Sequence, residues 1–133
     1  MDFMERLCEM VNEIPNLPIP CRMGYLGAEE SFVVFPLPGS RVTTRFMDGT
    51  SEQALNFEFA MKSKQQSKIH VTLWMVQNEL EALSEGDLVS QDNSFEFEDL
   101  VITNKPFINQ ADEQGWFVFL LDVKANITVF KEE

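Results

Sequence analysis

Alternating apolar and polar residues predict the strands of this chain, most clearly near its end. Side chains in a strand point to opposite faces with a period of two residues. From Trp116 onward, one face is continuously apolar and consists of Phe117, Phe119, Leu121, Val123, Ala125, Ile127 and Val129. The other face starts with Trp116, Val118 and Leu120 and then becomes polar. We therefore expect a helix of the same chain, or a neighbouring subunit, to cover the first half of this strand.

Shorter alternating runs predict the remaining strands. They are expected at Arg22–Leu26, Ser31–Leu37, Arg41–Met47, Leu55–Met61 and Phe95–Ile102. In the fourth of these runs the odd-numbered residues point inward, and Asn56, Glu58 and Ala60 point outward. Asp48-Gly49 is typical of a tight turn, and the polar residues 103–114 are expected to form a loop.

Apolar residues at helical spacing predict two helices. The first has Phe3, Leu7, Met10 and Ile14 on one face, with Asp2 as its expected N-cap and Pro15 ending it. The second is expected from Gln66 to Ser84, with a stripe of Ile69, Leu73, Val76, Leu80 and Leu83. Together with the strand order, this predicts one α+β domain over residues 1–133, with a largely antiparallel sheet and both helices packed on one face.

The second helix also carries an apolar cluster opposite its main stripe. Val71, Trp74 and Met75 lie three and four residues apart, so they share a face. A surface helix needs only one apolar face. Either a long loop or the other helix covers this cluster, or it contacts another subunit, for which Trp and Met are favoured residues.

The charge of the chain limits its partners. Ten Lys and Arg residues against 22 Asp and Glu residues give a net charge of −12. Such a surface repels phosphate groups, so neither direct nucleic-acid binding nor adsorption to anionic membranes is expected. The sequence has no apolar stretch long enough to span a bilayer, and its start is unlike a signal peptide. Cys8 and Cys21 lack metal-site spacing and are expected to be free, buried thiols.

The common catalytic and cofactor-binding patterns are missing from the sequence. Its one histidine, His70, has no second histidine or carboxylate at metal-binding spacing. The six glycines form no phosphate-binding or dinucleotide-binding loop. Glu96 and Glu98 alternate onto one strand face, which is typical of a solvated surface. We expect no enzyme activity, no cofactor and no metal.

Two segments of the chain resemble a family of small phage morphogenesis proteins. They are SEQALNFEFAMKSKQQ, which runs into the second helix, and NSFEFEDLVITNKPFINQADEQGWFVFLLDVKANITVF at the end. The family comprises minor capsid proteins of long-tailed bacteriophages or prophages that are understood as tail terminators. The resemblance implies an α+β subunit of the virion, assembled in the host cytoplasm. It also implies a ring, usually of six copies, on the head-proximal end of the tail tube, docking to the head-completion complex.

The resemblance brings no active site, so the candidate site residues are contact residues. We expect contacts with a neighbouring subunit, the tail tube protein or the head-completion protein. The candidates are Arg41, Arg45, Val71, Trp74, Met75, Phe107, Trp116, Val118 and Leu120. Glu58, Glu96 and Glu98 are expected to line or flank the ring channel.

Two other functional classes compete with the assembly hypothesis. The first is a monomeric module that binds a small ligand or peptide, with Trp116, Phe117 and the loop 104–114 lining its pocket. The second is an enzyme that uses acidic residues and a metal. Ring formation would favour the assembly hypothesis, whereas a monomer with a closed cavity would favour the binding module.

Overall fold

The computed structural model describes residues 1–130, which form two helices and a six-stranded sheet. The helices are α1 (Phe3–Asn12) and α2 (Gln66–Glu81). The strands are β1 (Arg22–Met23), β2 (Ser31–Pro36), β3 (Arg41–Arg45), β4 (Ser51–Ser63), β5 (Phe95–Ala111) and β6 (Phe117–Val129). The α+β class predicted from the sequence is confirmed.

The sheet is antiparallel except for one short pair. Its strand order is β1-β2-β4-β6-β5, with only β1 and β2 running parallel. Strand β6 pairs along the whole of β4, from Ser51 to Ser63. The opposite edge of β4 is shared by β2 along its C-terminal half and by β3 along its N-terminal end. The sheet therefore has two open edges, one formed by β5 and the other by β1 and β3.

Both helices pack on the same face of the sheet, here called the inner face. The Phe3 ring of α1 lies 5.5 Å from the Phe57 ring of β4 and 5.2 Å from the Phe95 ring of β5. On α2, the stripe residues Ile69 and Leu73 are fully buried in the same core. The helical stripes and the inward residues of the strands thus form one core, and the opposite face, here called the outer face, carries no helix within residues 1–130.

The main error of the sequence prediction lies between residues 103 and 114. This segment was expected to be a loop, but β5 continues to Ala111 and joins β6 through a tight turn. The backbone pairing with β6 holds this polar strand, although its register shifts at four places. The alternation is broken at each shift, so the period-two signal is lost in the sequence. By contrast, the strand expected at Arg41–Met47 corresponds to β3, and the turn expected at Asp48-Gly49 lies between β3 and β4.

Smaller differences concern element ends and single side chains. Strand β1 ends at Met23 because Gly24, with a φ of 133°, turns the chain, and α2 ends at Glu81 instead of Ser84. The predicted N-cap, Asp2, makes no capping hydrogen bond. Its carboxylate instead accepts hydrogen bonds from the Gln91 amide at 2.8 Å and the Ser90 hydroxyl at 2.7 Å. Cys8 and Cys21 are both buried and free.

Candidate interaction surfaces

The first candidate surface is an apolar groove between α2 and β5, here called the α2/β5 groove. Val71 is 52% exposed and Trp74 is 64% exposed, whereas Met75 packs partly against the core. The groove has a volume of about 570 Å³, and its other lining residues are His70, Gln77 and Pro106. Within residues 1–130, neither a loop nor α1 covers the Val71 and Trp74 side chains. An apolar patch of this kind on a helix is typical of a contact with another protein.

The α2/β5 groove is held in place by the packing of α2 on the sheet. The His70 ring lies edge-on to the Phe119 ring of β6, with centroids 4.9 Å apart. This contact and the buried stripe fix the rotation of α2, so that Val71 and Trp74 point away from the core. Pro106 forms the opposite wall from β5, where it has no backbone N–H to offer to another strand. The groove is therefore a preformed feature of the subunit.

The second candidate surface is the apolar part of the outer face. Val118 is buried, Leu120 and Trp116 are partly buried, and Phe107 is 38% exposed. Across the sheet, Leu120 lies between Ala60 of β4 and Phe107 of β5. The apolar half of β6 is thus covered on its inner side by the core, and on its outer side it lies on an open sheet face. No helix among residues 1–130 covers the outer side of this half of β6.

Two lysines shape one end of this outer surface. The ammonium groups of Lys62 and Lys64 lie 5.1 Å and 5.0 Å from the centre of the Trp116 ring. Cations at this distance are attracted to the face of an indole ring. Phe117, by contrast, packs against the core on the inner face. The predicted pocket that combined Trp116 and Phe117 with the loop 104–114 is not formed, because the two rings lie on opposite sides and most of the loop is strand.

A pair of carboxylates lies in the middle of the outer face, and the sequence did not reveal it. Glu58 of β4 and Asp122 of β6 are directly opposite each other. Asn104 donates a hydrogen bond to Asp122 Oδ2 at 2.8 Å, whereas Asp122 Oδ1 is buried without a hydrogen-bond partner among residues 1–130. Burial, together with the charge of Asp122, raises the pKa of Glu58 above its ordinary value.

Glu58 is more buried than its outward position in the alternation indicates. Glu58 does face outward, but it is only 9% exposed, and Ala60 beside it is fully buried. Glu96 is exposed, and Glu98 accepts a hydrogen bond from Thr128 at 3.3 Å. Of the three glutamates expected to line or flank the ring channel, Glu58 is therefore the one that is largely buried in the subunit.

The third candidate surface consists of residues 41–50, that is, strand β3 and the turn that leads from it to β4. It is here called the β3 arm. Every residue of β3 is exposed, including Arg41 and Arg45. Neither guanidinium forms an ion pair with a carboxylate in the part of the chain that the structure describes. Phe46 is 47% exposed, and Met47 at the tip is fully exposed. The β3 arm thus combines unpaired positive charge with exposed apolar side chains.

The described residues contain neither a metal-binding cluster nor a membrane-spanning helix. Between Met1 and Phe130, no three His, Cys, Asp or Glu side chains are placed to hold a metal ion together. Neither α1 nor α2 combines the length and apolar character that crossing a bilayer requires.

Comparison with known proteins identifies one family. A family model described as "Bacteriophage tail terminator protein" matches residues 5–129 of the chain. The match covers both helices and all strands except the first two residues of α1. Comparison with curated proteins finds no match.

Proposed function

This chain belongs to the family of bacteriophage tail terminator proteins, and from that premise we propose that its subunits close the tail tube as a ring. The role of such a protein is structural. The ring, expected to contain six copies, sits on the head-proximal end of the tube and docks to the head-completion protein. The subunit is accordingly a virion component, assembled in the host cytoplasm and encoded by a phage or a prophage.

The observation that carries this proposal is the presence of apolar contact surfaces on opposite sides of one subunit. The α2/β5 groove lies on the helical side, and Trp116, Leu120 and Phe107 lie on the outer face. A closed ring with cyclic symmetry uses heterologous interfaces, in which two different patches of each subunit meet. A subunit with two unlike apolar patches supports this kind of interface, whereas a twofold dimer would need only one.

Replacing Trp74 with Glu tests the proposed role of the α2/β5 groove. Because Trp74 is 64% exposed, the variant should keep its thermal stability to within about 0.5 kcal/mol, as is usual for surface positions. A buried charge at the interface should prevent ring formation. The measurements are the subunit's melting temperature and its assembly state with purified tail tubes, by sedimentation and electron microscopy.

Two further variants make this test specific. Ser67→Glu adds the same charge at an exposed position in the first turn of α2 that does not line the groove, and it should assemble normally. Leu73→Ala removes a fully buried side chain and should lower stability by about 2–5 kcal/mol. If Trp74→Glu destabilises the subunit as much as Leu73→Ala does, Trp74 belongs to the core and the interface proposal is wrong.

A monomeric binding module remains the second candidate function, because of the size of the same groove. About 570 Å³ falls within the range of small-ligand sites, roughly 300–1,000 Å³. The groove would then hold an apolar ligand or a peptide side chain between Trp74 and Pro106. This function predicts that the wild-type chain stays monomeric in the presence of tail tubes, which the sedimentation experiment measures directly.

A further inference from the structure

The Glu58–Asp122 pair is unfavourable for the isolated subunit. Glu58 is only 9% exposed, and its carboxylate lies directly across the strands from that of Asp122, so that burial and the charge of Asp122 raise its pKa. Asp122 Oδ1 is also buried and has no hydrogen-bond partner within residues 1–130. Buried polar atoms in folded proteins are nearly always hydrogen-bonded, and those that are not need a specific explanation. The outer face therefore presents one buried acceptor, Asp122 Oδ1, that lacks a donor, next to the largely buried carboxylate of Glu58.

The nearby cations of the same chain do not supply that donor. Lys62 follows on the outer face of β4, but its ammonium donates to the Gly27 carbonyl at 3.3 Å and lies over the Trp116 ring. Lys124 lies two residues beyond Asp122 on the same face and forms no ion pair with either carboxylate. Within residues 1–130 the pair thus has only Asn104 as a hydrogen-bond donor.

The surroundings of the pair are suited to a planar cation. Phe35 lies beside Glu58 on β2, and Ala60 and Leu120 are the next residues along the same face. Apolar walls weaken the competition from water, so a charge-assisted hydrogen bond is stronger there than at an open surface. A guanidinium presents two parallel N–H groups to carboxylate oxygens and is less strongly hydrated than an ammonium.

We propose that the Glu58–Asp122 pair receives an arginine from the β3 arm of a neighbouring copy of this chain. The proposal rests on the ring described above and specifies one of its interfaces. Arg41 and Arg45 are two of the four arginines of the chain. Arg6 is already paired with Asp2 and Glu9. The exposed Phe46 and Met47 of the arm match the apolar walls around the carboxylates.

Complementary charge on two surfaces of the same chain supports a second copy as the partner. Two surfaces of a protein with a net charge of −12 repel each other unless positive groups meet negative ones at the contact. The β3 arm holds unpaired cations, and the outer face holds unpaired anions. A contact between arm and pair is heterologous, as a ring requires. It also brings a cation to the two carboxylates, of which Asp122 Oδ1 has no donor within residues 1–130 of the isolated subunit.

A double-mutant cycle on ring assembly tests this contact. One variant removes the charge of the pair (Glu58→Gln with Asp122→Asn), a second removes the arm charges (Arg41→Ala with Arg45→Ala), and a third combines all four changes. Sedimentation measures self-association for each variant with tail tubes present. We expect each double variant to associate at least about ten-fold more weakly, and the combined variant to associate no more weakly than either alone.

Control measurements separate this contact from other causes. Arg22→Ala removes an exposed arginine of β1 outside the arm and should leave association unchanged. Glu58→Gln alone should retain the fold, as judged by its melting curve, and should still weaken association. If the effects of the arm variant and the pair variant on the free energy of association simply add in the combined variant, the two sites do not interact and the proposal is wrong.

Two other results would also contradict it, for different reasons. If the pair variant binds the tail tube protein more weakly but self-associates normally, the carboxylates serve the tube protein. If the wild-type chain remains monomeric on tail tubes, the ring itself fails, and the contact fails with it.

Discussion

The charged residues of the outer face differ in how their charge affects the stability of the folded subunit. Glu96 stays exposed, so water solvates its carboxylate in both the folded and the unfolded chain. Glu58 loses most of its water on folding and faces Asp122 across the strands. The folded state therefore holds a proton on Glu58 more tightly than the unfolded state does. A buried carboxylate that lowers the stability of the isolated subunit in this way needs a specific explanation, and the proposed contact with a neighbouring arginine provides one.

Replacing Glu58 with Gln should raise the stability of the isolated subunit at neutral pH. The pKa of Glu58 is raised above its ordinary value of 4.5. Its contribution to stability is thus fully present below that value and is lost as the pH rises through the folded-state pKa. Gln resembles the protonated form, so the variant should be more stable at about pH 8 by roughly 1 kcal/mol, the usual scale for a poorly satisfied buried polar group. Urea denaturation measures this difference.

The pH dependence provides the control for the Glu58 prediction. At about pH 4 the Glu58→Gln variant and the wild type should differ little, because Glu58 is then largely protonated in both states. Glu96→Gln changes an exposed carboxylate on the same face and should have an effect within about 0.5 kcal/mol at either pH. A wild type that is more stable than Glu58→Gln at about pH 8 would mean that the ionised carboxylate has a favourable partner.

Among the secondary-structure elements, the β5–β6 hairpin differs most from its prediction, because β5 is longer than the alternating residue pattern indicates. Its turn is held by Asp112, whose Oδ1 accepts hydrogen bonds from the amides of Gln114 at 3.0 Å and Trp116 at 2.9 Å. Gly115, with a φ of 89°, supplies the left-handed conformation that the turn requires. This local turn brings Ala111 and Phe117 into register, and the pairing then extends along both strands.

Replacing Asp112 with Ala should loosen the hairpin without unfolding the subunit. Two backbone amides lose their acceptor, so we expect a loss of about 1–2 kcal/mol. Amide exchange in residues 107–120 should become faster, whereas exchange in α1 should change little. Glu113→Ala, which removes the exposed neighbouring carboxylate, is the matched control. Equal exchange in the two variants would mean that strand pairing alone holds the hairpin.

The open edges of the sheet are protected in different ways. The β5 edge is long, but Lys105, Pro106 and four register shifts interrupt it. Charges, prolines and bulges at an edge discourage pairing with other chains. The β3 edge is short and carries Arg41 and Arg45. Both edges are thus poorly suited to simple strand addition, so assembly should depend on side-chain surfaces.

At the scale of the whole molecule, the large negative net charge predicts that the protein does not bind DNA. A ring of six copies would carry six times −12, that is −72. The isolated chain should retain no duplex DNA, even at about 0.01 M salt, where the Debye length is about 30 Å and repulsion is strongest. Filter retention and gel shift measure this. Retention of DNA by the purified protein would contradict the prediction that nucleic acid is not a direct partner.

The residue pattern alone determined the fold class, both helices and most of the strands. Stripes such as Ile69, Leu73 and Val76 report directly on burial, because only one face of a helix meets the core. The same rule marked Val71 and Trp74 as surplus apolar residues. These are local properties, repeated every few residues, and tertiary contacts did not change them.

Only the tertiary structure decided the length of β5 and the position of the carboxylate pair. Residues 103–111 are polar and irregular, and it is hydrogen bonding to β6 that makes them a strand. Glu58 and Asp122 lie far apart in the sequence and meet through the register of β4 on β6. Strand register depends on how the whole sheet packs. A pattern confined to one strand carries no information about which residue lies opposite, and so the candidate contact for a neighbouring arginine could not be found before the fold was known.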